Sequence, residues 1–142
     1  MIHVMNKEIE KIANDLLINS ESIQLASVCE DGFPRICEME KIRGESFLEI
    51  AFVTFKNSEK VKHFAKNNKV SIGYSDDNNS VSLMGYIEMY EIEKIKEIIK
   101  NSMIHERWFN KNQDGNYAYC LLIFKTKKAK VFIQQKHWYY EK

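Results

Sequence analysis

The apolar positions change their spacing along the chain, and the change predicts a helix followed by strands. From Met5 to Leu17 the apolar side chains recur every three or four residues, which is typical of the buried face of an amphipathic helix. From Ile23 onward the spacing falls to two, which indicates strands with one buried face. We expect Asn6 to cap the helix and the helix to end near Asn19.

The same pattern predicts seven strands and two further short helices. The Asp-Gly pair within residues 30–34 favours a hairpin turn, and Gly85 inside the fifth strand indicates a bulge or a bend. The predicted strands cover residues 23–29, 35–42, 47–54, 69–75, 80–90, 117–125 and 130–135, the predicted helices cover 57–66 and 92–102, and the lysines at 125–130 are expected in the last hairpin turn.

Strands joined mainly by hairpins, with short helices in the longer crossings, favour an antiparallel β-barrel with helical caps over a parallel sheet. A length of 142 residues fits a single domain over residues 1–142. The fold class is therefore predicted to be mainly β with helices.

Composition narrows the function classes. The formal net charge is +1, so no general attraction to nucleic acid or to an anionic membrane is expected, and any anion site must be local. The three cysteines have no zinc-ligand spacing with a histidine, so they are predicted to be reduced and mostly buried, without a metal. Charged residues interrupt the first apolar segment, which argues against a signal peptide and favours a cytoplasmic protein.

The segment from Thr54 to Lys60 carries the most informative polar residues. It places one hydroxyl at a strand end, a second at the start of a helix at Ser58, and the Lys60 ammonium in the first turn of that helix. Helix N-termini attract anions, and hydroxyl and ammonium donors add hydrogen bonds, so this arrangement suits a phosphate. A capped surface helix with a solvated lysine is the alternative, and spacing alone favours that alternative because short motifs match by chance.

Other candidate residues are less distinctive. Trp108 lies in a polar loop, where its ring can stack on a planar ligand, anchor a partner chain or fold over its own core. His63 lies next to Lys62 and is predicted to be a surface residue. The carboxylates form no recognisable acid–base pair, so no catalytic residue is assigned.

Taken together, these segments resemble the pyridoxamine 5'-phosphate oxidase-like, FMN-binding split-barrel family, and especially its general-stress-protein-like members. The similarity extends over nearly the full chain and depends on the joint order and spacing of loose motifs. The segments that carry it are residues 25–28 (LASV), 31–34 (DGFP), 51–54 (AFVT), 58–61 (SEKV), 70–74 (VSIGY), 81–88 (VSLMGYIE), Trp108 with Phe109, and 121–124 (LLIF).

The resemblance implies a six-stranded antiparallel split barrel that forms a homodimer with FMN at the subunit interface. It implies that one strand backbone lies along the isoalloxazine ring, that a strand end and the following helix start hold the phosphate, and that a tryptophan covers the ring from the partner subunit. In that order, the implied cofactor-binding residues are Cys37, Glu38 and Met39, then Val53, Thr54, Ser58 and Lys60, then Trp108.

The leading functional hypothesis from this resemblance is a flavoprotein oxidoreductase that passes electrons from a reduced nicotinamide to a small acceptor. Pyridoxamine phosphate oxidation is not expected, because no arginine-and-histidine tail follows the last predicted strand. One alternative is a nitro-aromatic reductase with a pocket built from Phe55, Trp108 and Tyr117. Another is a carrier or sensor of a flavin (FMN, FAD or deazaflavin) or of haem, with His105 or His137 as the iron ligand. A third is an interaction module without cofactor.

Overall fold

The computed structural model describes residues 1–99 and 104–142. These residues form eight strands and three α-helices. The strands are β1 (Ile2–Val4), β2 (Ser22–Val28), β3 (Pro34–Ser46), β4 (Glu49–Phe55), β5 (Lys69–Ser75), β6 (Ser80–Glu91), β7 (Tyr119–Ile133) and β8 (Lys136–Glu141), and the helices are α1 (Lys7–Asn19), α2 (Glu59–Lys66) and α3 (Ile95–Ile98).

Six of the strands close into a barrel. Their order is β7-β4-β3-β2-β5-β6, every neighbouring pair is antiparallel, and β6 pairs with β7 to complete the ring. β8 then extends the sheet beyond β7, and β1 pairs in parallel with β8. The predicted six-stranded antiparallel barrel is therefore confirmed, with two strands added at its side.

Helix α1 forms where the apolar spacing predicts it. The backbone N–H of Ile9 donates to the Asn6 side chain at 2.9 Å, so Asn6 caps the helix as expected. The buried face carries Ile9, Ala13 and Leu17, which join the barrel core.

The prediction of two final strands with a lysine-rich turn between them is wrong. β7 runs without interruption through residues 119–133, and a separate strand, β8, follows where no strand was predicted. Lys125 and Lys130 are exposed while Thr126 and Ala129 are buried between them. A strand can carry several lysines on its solvent face, so their clustering does not require a turn.

Gly85 marks a bulge, as its position within the strand predicts. The pairing of β6 with β7 shifts between Met84 and Gly85. A Cβ atom on Gly85 would lie 2.1 Å from the carbonyl oxygen of Lys125, so only glycine fits at this close approach of two backbones.

A second apolar cluster covers the outside of the barrel. β4 and β7 are buried on both faces, because the segment that begins with a 3-10 turn at Ile92–Lys94 folds back over them. We call this the outer cluster, and its buried members are Ala51, Ile92, Ile95, Ile99, Trp108, Leu121 and Ile123.

The helix predicted over residues 92–102 is a 3-10 turn followed by one turn of α-helix that ends at Ile98, and its last predicted residues lie outside the described part of the chain. Among the described residues, no helix has the length and apolarity needed to cross a membrane. All three cysteines are free thiols, with Cys120 buried and Cys29 and Cys37 half-buried.

Candidate functional site

A groove of about 720 Å³ lies on the outer face of the barrel where β3 and β4 meet the 3-10 turn Glu106–Phe109. This volume is in the range of small-molecule and cofactor sites. We call it the aromatic groove, and its lining residues are Ile18, Glu40, Lys41, Ile42, Arg43, Gly44, Glu45, Val53, Phe55, His105, Arg107, Trp108 and Tyr119.

Bulges in β3 shape one wall of the aromatic groove. Lys41 pairs with Phe52 and Arg43 pairs with Ala51, so Ile42 is an extra residue on β3. An extra residue bends its strand and changes the direction of the neighbouring side chains. Ile42 packs against the outer cluster, and the cations on either side of it both line the groove.

Aromatic rings form the opposite wall. Phe55 and Tyr119, which are paired across β4 and β7, stack with ring centroids 4.5 Å apart and an interplanar angle of 27°. Trp108 belongs to the outer cluster and is only 5% exposed, yet it also lines the groove, with the His105 ring edge-on to it at 5.0 Å. A planar ligand would therefore meet aromatic rings along this wall.

The charges in the aromatic groove are mixed. The guanidinium of Arg43 is 2.6 Å from the Glu49 carboxylate, whereas Lys41 and Arg107 have no ion-pair partner among the described residues. Partial burial lowers the pKa of Lys41, and the nearby Glu21 carboxylate opposes that shift. Glu40 and Glu45 also line the groove without an ion-pair partner among the described residues, so two unpaired cations stand beside two unpaired carboxylates.

Helix α2 begins four residues beyond Phe55, the last residue of β4 that lines the groove. Ser58 occupies its N-cap position but makes no side-chain capping hydrogen bond, and its Oγ is buried with no hydrogen-bond partner among the described residues. Lys60 lies in the first turn, and Thr54 is buried at the end of β4. A buried hydroxyl without a partner is costly, so an external acceptor such as a phosphate oxygen would satisfy it.

A carboxylate also lies at this helix start. Glu59 forms an ion pair with Arg35, and its Oε1 is 3.8 Å from His63 Nε2. Because Arg35 already offsets the Glu59 charge, repulsion of a phosphate at the start of α2 is reduced. The prediction that His63 is a surface residue is wrong, since the residue is only 7% exposed and its Nδ1 lies 3.0 Å from Ser27 Oγ.

The β3 residues implied by the resemblance point in alternate directions. Met39 is buried in the barrel core and Cys37 packs against it, so both side chains face inward. Glu38 faces outward, where its carboxylate accepts a hydrogen bond of 2.8 Å from Ser22 Oγ. On the outer face this stretch therefore presents backbone and one carboxylate.

The structure brings some of the expected residues together and separates others. Val53 and Trp108 line the aromatic groove, whereas Thr54, Ser58 and Lys60 lie where β4 ends and α2 begins. Cofactor contact by any of these residues stays a prediction. Tyr119, not Tyr117, lines the groove with Phe55, Trp108 and the cations.

Tyr119 gives no alternation signal, because residues 120–124 after it are all buried, and Lys41 and Arg107 carry no local signal either. Of the two proposed iron ligands, His105 is at the groove and His137 lies on β8 beside Phe132.

Comparison with solved structures agrees with this architecture, whereas the two comparisons of the sequence found no match. No protein-family model matches the chain, and no curated protein matches it. Among solved structures, a Clostridium acetobutylicum protein related to general stress protein 26 of Bacillus subtilis (pyridoxinephosphate oxidase family) superposes with a TM-score of 0.77 at 20% identity, covering 96% of each chain.

Two further structures have the same fold. A pyridoxamine 5'-phosphate oxidase-related, FMN-binding protein from Nostoc punctiforme has a TM-score of 0.69 at 15% identity, covering 97% of this chain and 92% of its own. A NimC/NimA family protein from Clostridium acetobutylicum has a TM-score of 0.65 at 17% identity, covering 92% and 93% respectively. The chain thus has the fold of the pyridoxamine 5'-phosphate oxidase-related, FMN-binding proteins.

Proposed function

We propose that this protein is an FMN-binding flavoprotein that transfers electrons from a reduced nicotinamide to a small acceptor. The observation that carries the proposal is the Ser58 Oγ at the start of α2, which is buried with no partner in the described part of the chain and lies next to Lys60 and to the aromatic groove. These residues fit a planar ligand with a phosphate tail, since they offer hydroxyl and ammonium donors at one end and aromatic rings at the other. The fold shared with the FMN-binding Nostoc punctiforme protein supports the same ligand.

The chain's own residues would bind and orient the cofactor. Thr54, Ser58 and Lys60 would hold the phosphate, and Val53 and Trp108 would lie against the ring. When bound, FMN would supply the hydride and electron transfer. The low exposure of Trp108 limits its motion, so it would fix the ring position and exclude water from one side.

We further propose that the protein works as a homodimer that completes the cofactor site. Several large apolar side chains on the outer barrel surface are exposed, among them Phe33 at 70%, Ile36 at 69% and Phe55 at 58%. Exposed apolar side chains of this size are typical of interaction surfaces. A second copy packed on this face would cover them together with the aromatic groove.

A nitro-aromatic substrate is a second candidate. The stacked Phe55 and Tyr119 rings border the groove and are reachable from solvent, which suits an electron-poor aromatic ring. The fold shared with the NimC/NimA family protein supports it. It would be tested by nitroimidazole-dependent oxidation of a reduced nicotinamide by the FMN-loaded protein.

The proposal is tested by thermal unfolding with added FMN, FAD or deazaflavin, because a ligand that binds only the folded state raises the midpoint. We expect FMN to give the largest rise and the Ser58→Ala/Lys60→Ala double variant to lose most of it. The matched control is Ser75→Ala/Lys62→Ala, which makes the same changes on the exposed surface. No rise with any flavin would overturn the proposal, and equal rises in both double variants would place the phosphate elsewhere.

A further inference from the structure

Four polar side chains join helix α2 to the hairpin of β2 and β3. Ser27 pairs with Arg35 across the two strands, and Glu59 and His63 lie one turn apart on α2. The Ser27 Oγ is 3.0 Å from His63 Nδ1, and Arg35 forms an ion pair with Glu59. We call these four residues the helix–hairpin cluster. Each strand of the hairpin thus contacts one residue of the helix, which holds α2 against the barrel.

The helix–hairpin cluster is on the other side of the hairpin from the proposed dimer face. Successive side chains of a strand point to opposite faces. Ser27 is buried against His63, and Arg35 pairs with it, whereas the next residue, Ile36, is exposed on the outer surface. A second copy on the outer surface would therefore not replace the contacts of this cluster.

The contacts of the His63 ring suit both of its charge states. Histidine is the side chain that ordinarily gains a proton as the pH falls from 8 to 5. The Ser27 hydroxyl donates to Nδ1 when that nitrogen is bare and accepts from it when it is protonated, so this bond survives a change of charge. His63 also lines a surface cleft, which gives protons a path to its ring.

Glu59 is the carboxylate that a proton on His63 would act on. Its Oε1 is 3.8 Å from His63 Nε2, and no other carboxylate of the described residues lies within ion-pair distance of the ring. Glu30 pairs with Lys66, and the Asp31 carboxylate accepts a backbone hydrogen bond within its own turn. The other ionisable residues that line the cleft with His63 and Glu59 are Cys29, Glu30, Asp31 and Lys62.

The position of Glu59 makes its charge important. It is the first residue of α2, between Ser58 and Lys60, so its carboxylate repels an anion at the helix start. When His63 is neutral, Arg35 is the cation that offsets this charge. A proton on His63 adds a second cation, one turn further along the helix, which attracts the carboxylate away from the helix start.

We infer that His63 is a positioning residue for the anion site at the start of α2. When protonated, it holds the Glu59 carboxylate away from Ser58 and Lys60, so that anions bind there more tightly at lower pH. Ser27 keeps the ring in place in both charge states. The inference rests on the phosphate site proposed above, but not on which ligand carries the phosphate.

The test is a titration of ¹⁵N-labelled protein with sulfate at constant ionic strength, monitored by the amide shifts of Ser58, Glu59 and Lys60. Sulfate is the probe because it stays doubly charged between pH 5.5 and 8, whereas the phosphate of FMN itself gains a proton near pH 6. We expect sulfate to bind about fivefold more tightly at pH 5.5 than at pH 8. Equal affinities at the two pH values would overturn the inference, and so would the absence of shifts at these amides.

A second measurement needs no variant. Because coupling between two binding events is reciprocal, saturating sulfate should move the pH midpoint of the His63 ring signals upward by about 0.7 pH unit, which is the same fivefold factor. An unchanged midpoint would contradict the coupling.

Variants separate this effect from a purely structural role. In His63→Asn the amide takes the place of Nδ1 beside Ser27 but gains no proton, so sulfate affinity should be the same at both pH values. The control His137→Asn removes an exposed histidine on β8 and should keep the wild-type pH dependence. Glu59→Gln should bind sulfate more tightly at pH 8 and lose most of the pH dependence. A pH dependence that persists in His63→Asn would show that another group is responsible.

FMN distinguishes this inference from the proposed function. If FMN gives no thermal shift while sulfate binding keeps the expected pH dependence, the proposed cofactor is wrong and the role of His63 stands. If FMN binds but wild type and His63→Asn bind sulfate with the same pH dependence, the cofactor stands and the role of His63 is wrong.

Discussion

The barrel core and the outer cluster are built from some of the same strands but differ in how they are enclosed. The barrel core draws buried side chains from α1 and from every barrel strand. The outer cluster depends on β4 and β7 and on residues 92–99 and 104–109, which cover them from outside. Because Trp108 belongs to the outer cluster and lines the aromatic groove, the candidate site depends on the smaller cluster, so ligand binding and global stability should be separable.

The largest effect should come from Gly85→Val, which prevents the close approach of β6 and β7 that closes the barrel. A Cβ at 2.1 Å from the Lys125 carbonyl oxygen meets backbone that cannot move without breaking the pairing. We expect a loss of at least about 4 kcal/mol in the free energy of unfolding, measured in urea. Gly73→Ala is the control. A Cβ atom at this position would lie 3.8 Å from its nearest neighbour, so the urea midpoint of this variant should change little. Similar midpoints for the two variants would contradict this.

A direct comparison of the two clusters uses Phe124→Ala for the barrel core and Ile95→Ala for the outer cluster, both fully buried. We expect losses of about 3 kcal/mol and about 2 kcal/mol respectively, because the phenylalanine leaves the larger cavity. FMN affinity, corrected for stability, should fall more in Ile95→Ala, since the support of Trp108 is weakened. The separation of the clusters would be wrong if both variants lost affinity in proportion to stability.

The pH dependence of stability should test whether the Cys120 thiol is buried in the barrel core. Burial raises the pKa of the Cys120 thiol to about 11. The pKa is thus higher in the folded than in the unfolded protein, so the neutral thiol contributes stability below about pH 8.5, and this contribution is lost as the pH rises toward 11. We expect the difference in unfolding free energy between wild type and Cys120→Ala to fall by on the order of 2 kcal/mol between pH 8 and 11. A constant difference would show that the thiol is solvated.

The smallest effect should come from the cap of α1, which supports the barrel core from one side. Asn6→Ala removes the acceptor for the Ile9 N–H and should cost about 1 kcal/mol. Asn19→Ala at the exposed end of the same helix makes the same chemical change without a capping bond. Thermal unfolding should therefore separate the two variants, and equal midpoints would argue against the cap.

The sequence predicts elements well where a local rule controls them. α1 has both a cap and a regular apolar face, and β5 occupies Lys69–Ser75 as its alternation predicts. The sequence predicts β7 wrongly. Clustered lysines are typical of a turn, and only the pairing with β6 shows that they lie on the solvent face of one continuous strand.

The aromatic groove could be predicted only in part, because tertiary packing creates most of it. The extra residue at Ile42 is visible only in the pairing of β3 with β4, and the place of Trp108 depends on packing of the outer cluster. His63 is similar, since the preceding Lys60 and Lys62 suggest a surface position while its ring lies against Ser27. Sequence patterns report local periodicity, and these features depend on contacts between distant segments.

The parallel pairing of β1 with β8 has a consequence for the order of folding. Ile2 pairs with His137 and Val4 with Tyr139, so this contact joins segments more than a hundred residues apart. During synthesis β1 emerges before β8, its neighbour in the sheet, so the two can pair only after β8 has emerged. The barrel can close before this pair forms, because β1 and β8 lie outside its ring. Docking of β1 should therefore be a late step, with its amides among the first to exchange with solvent.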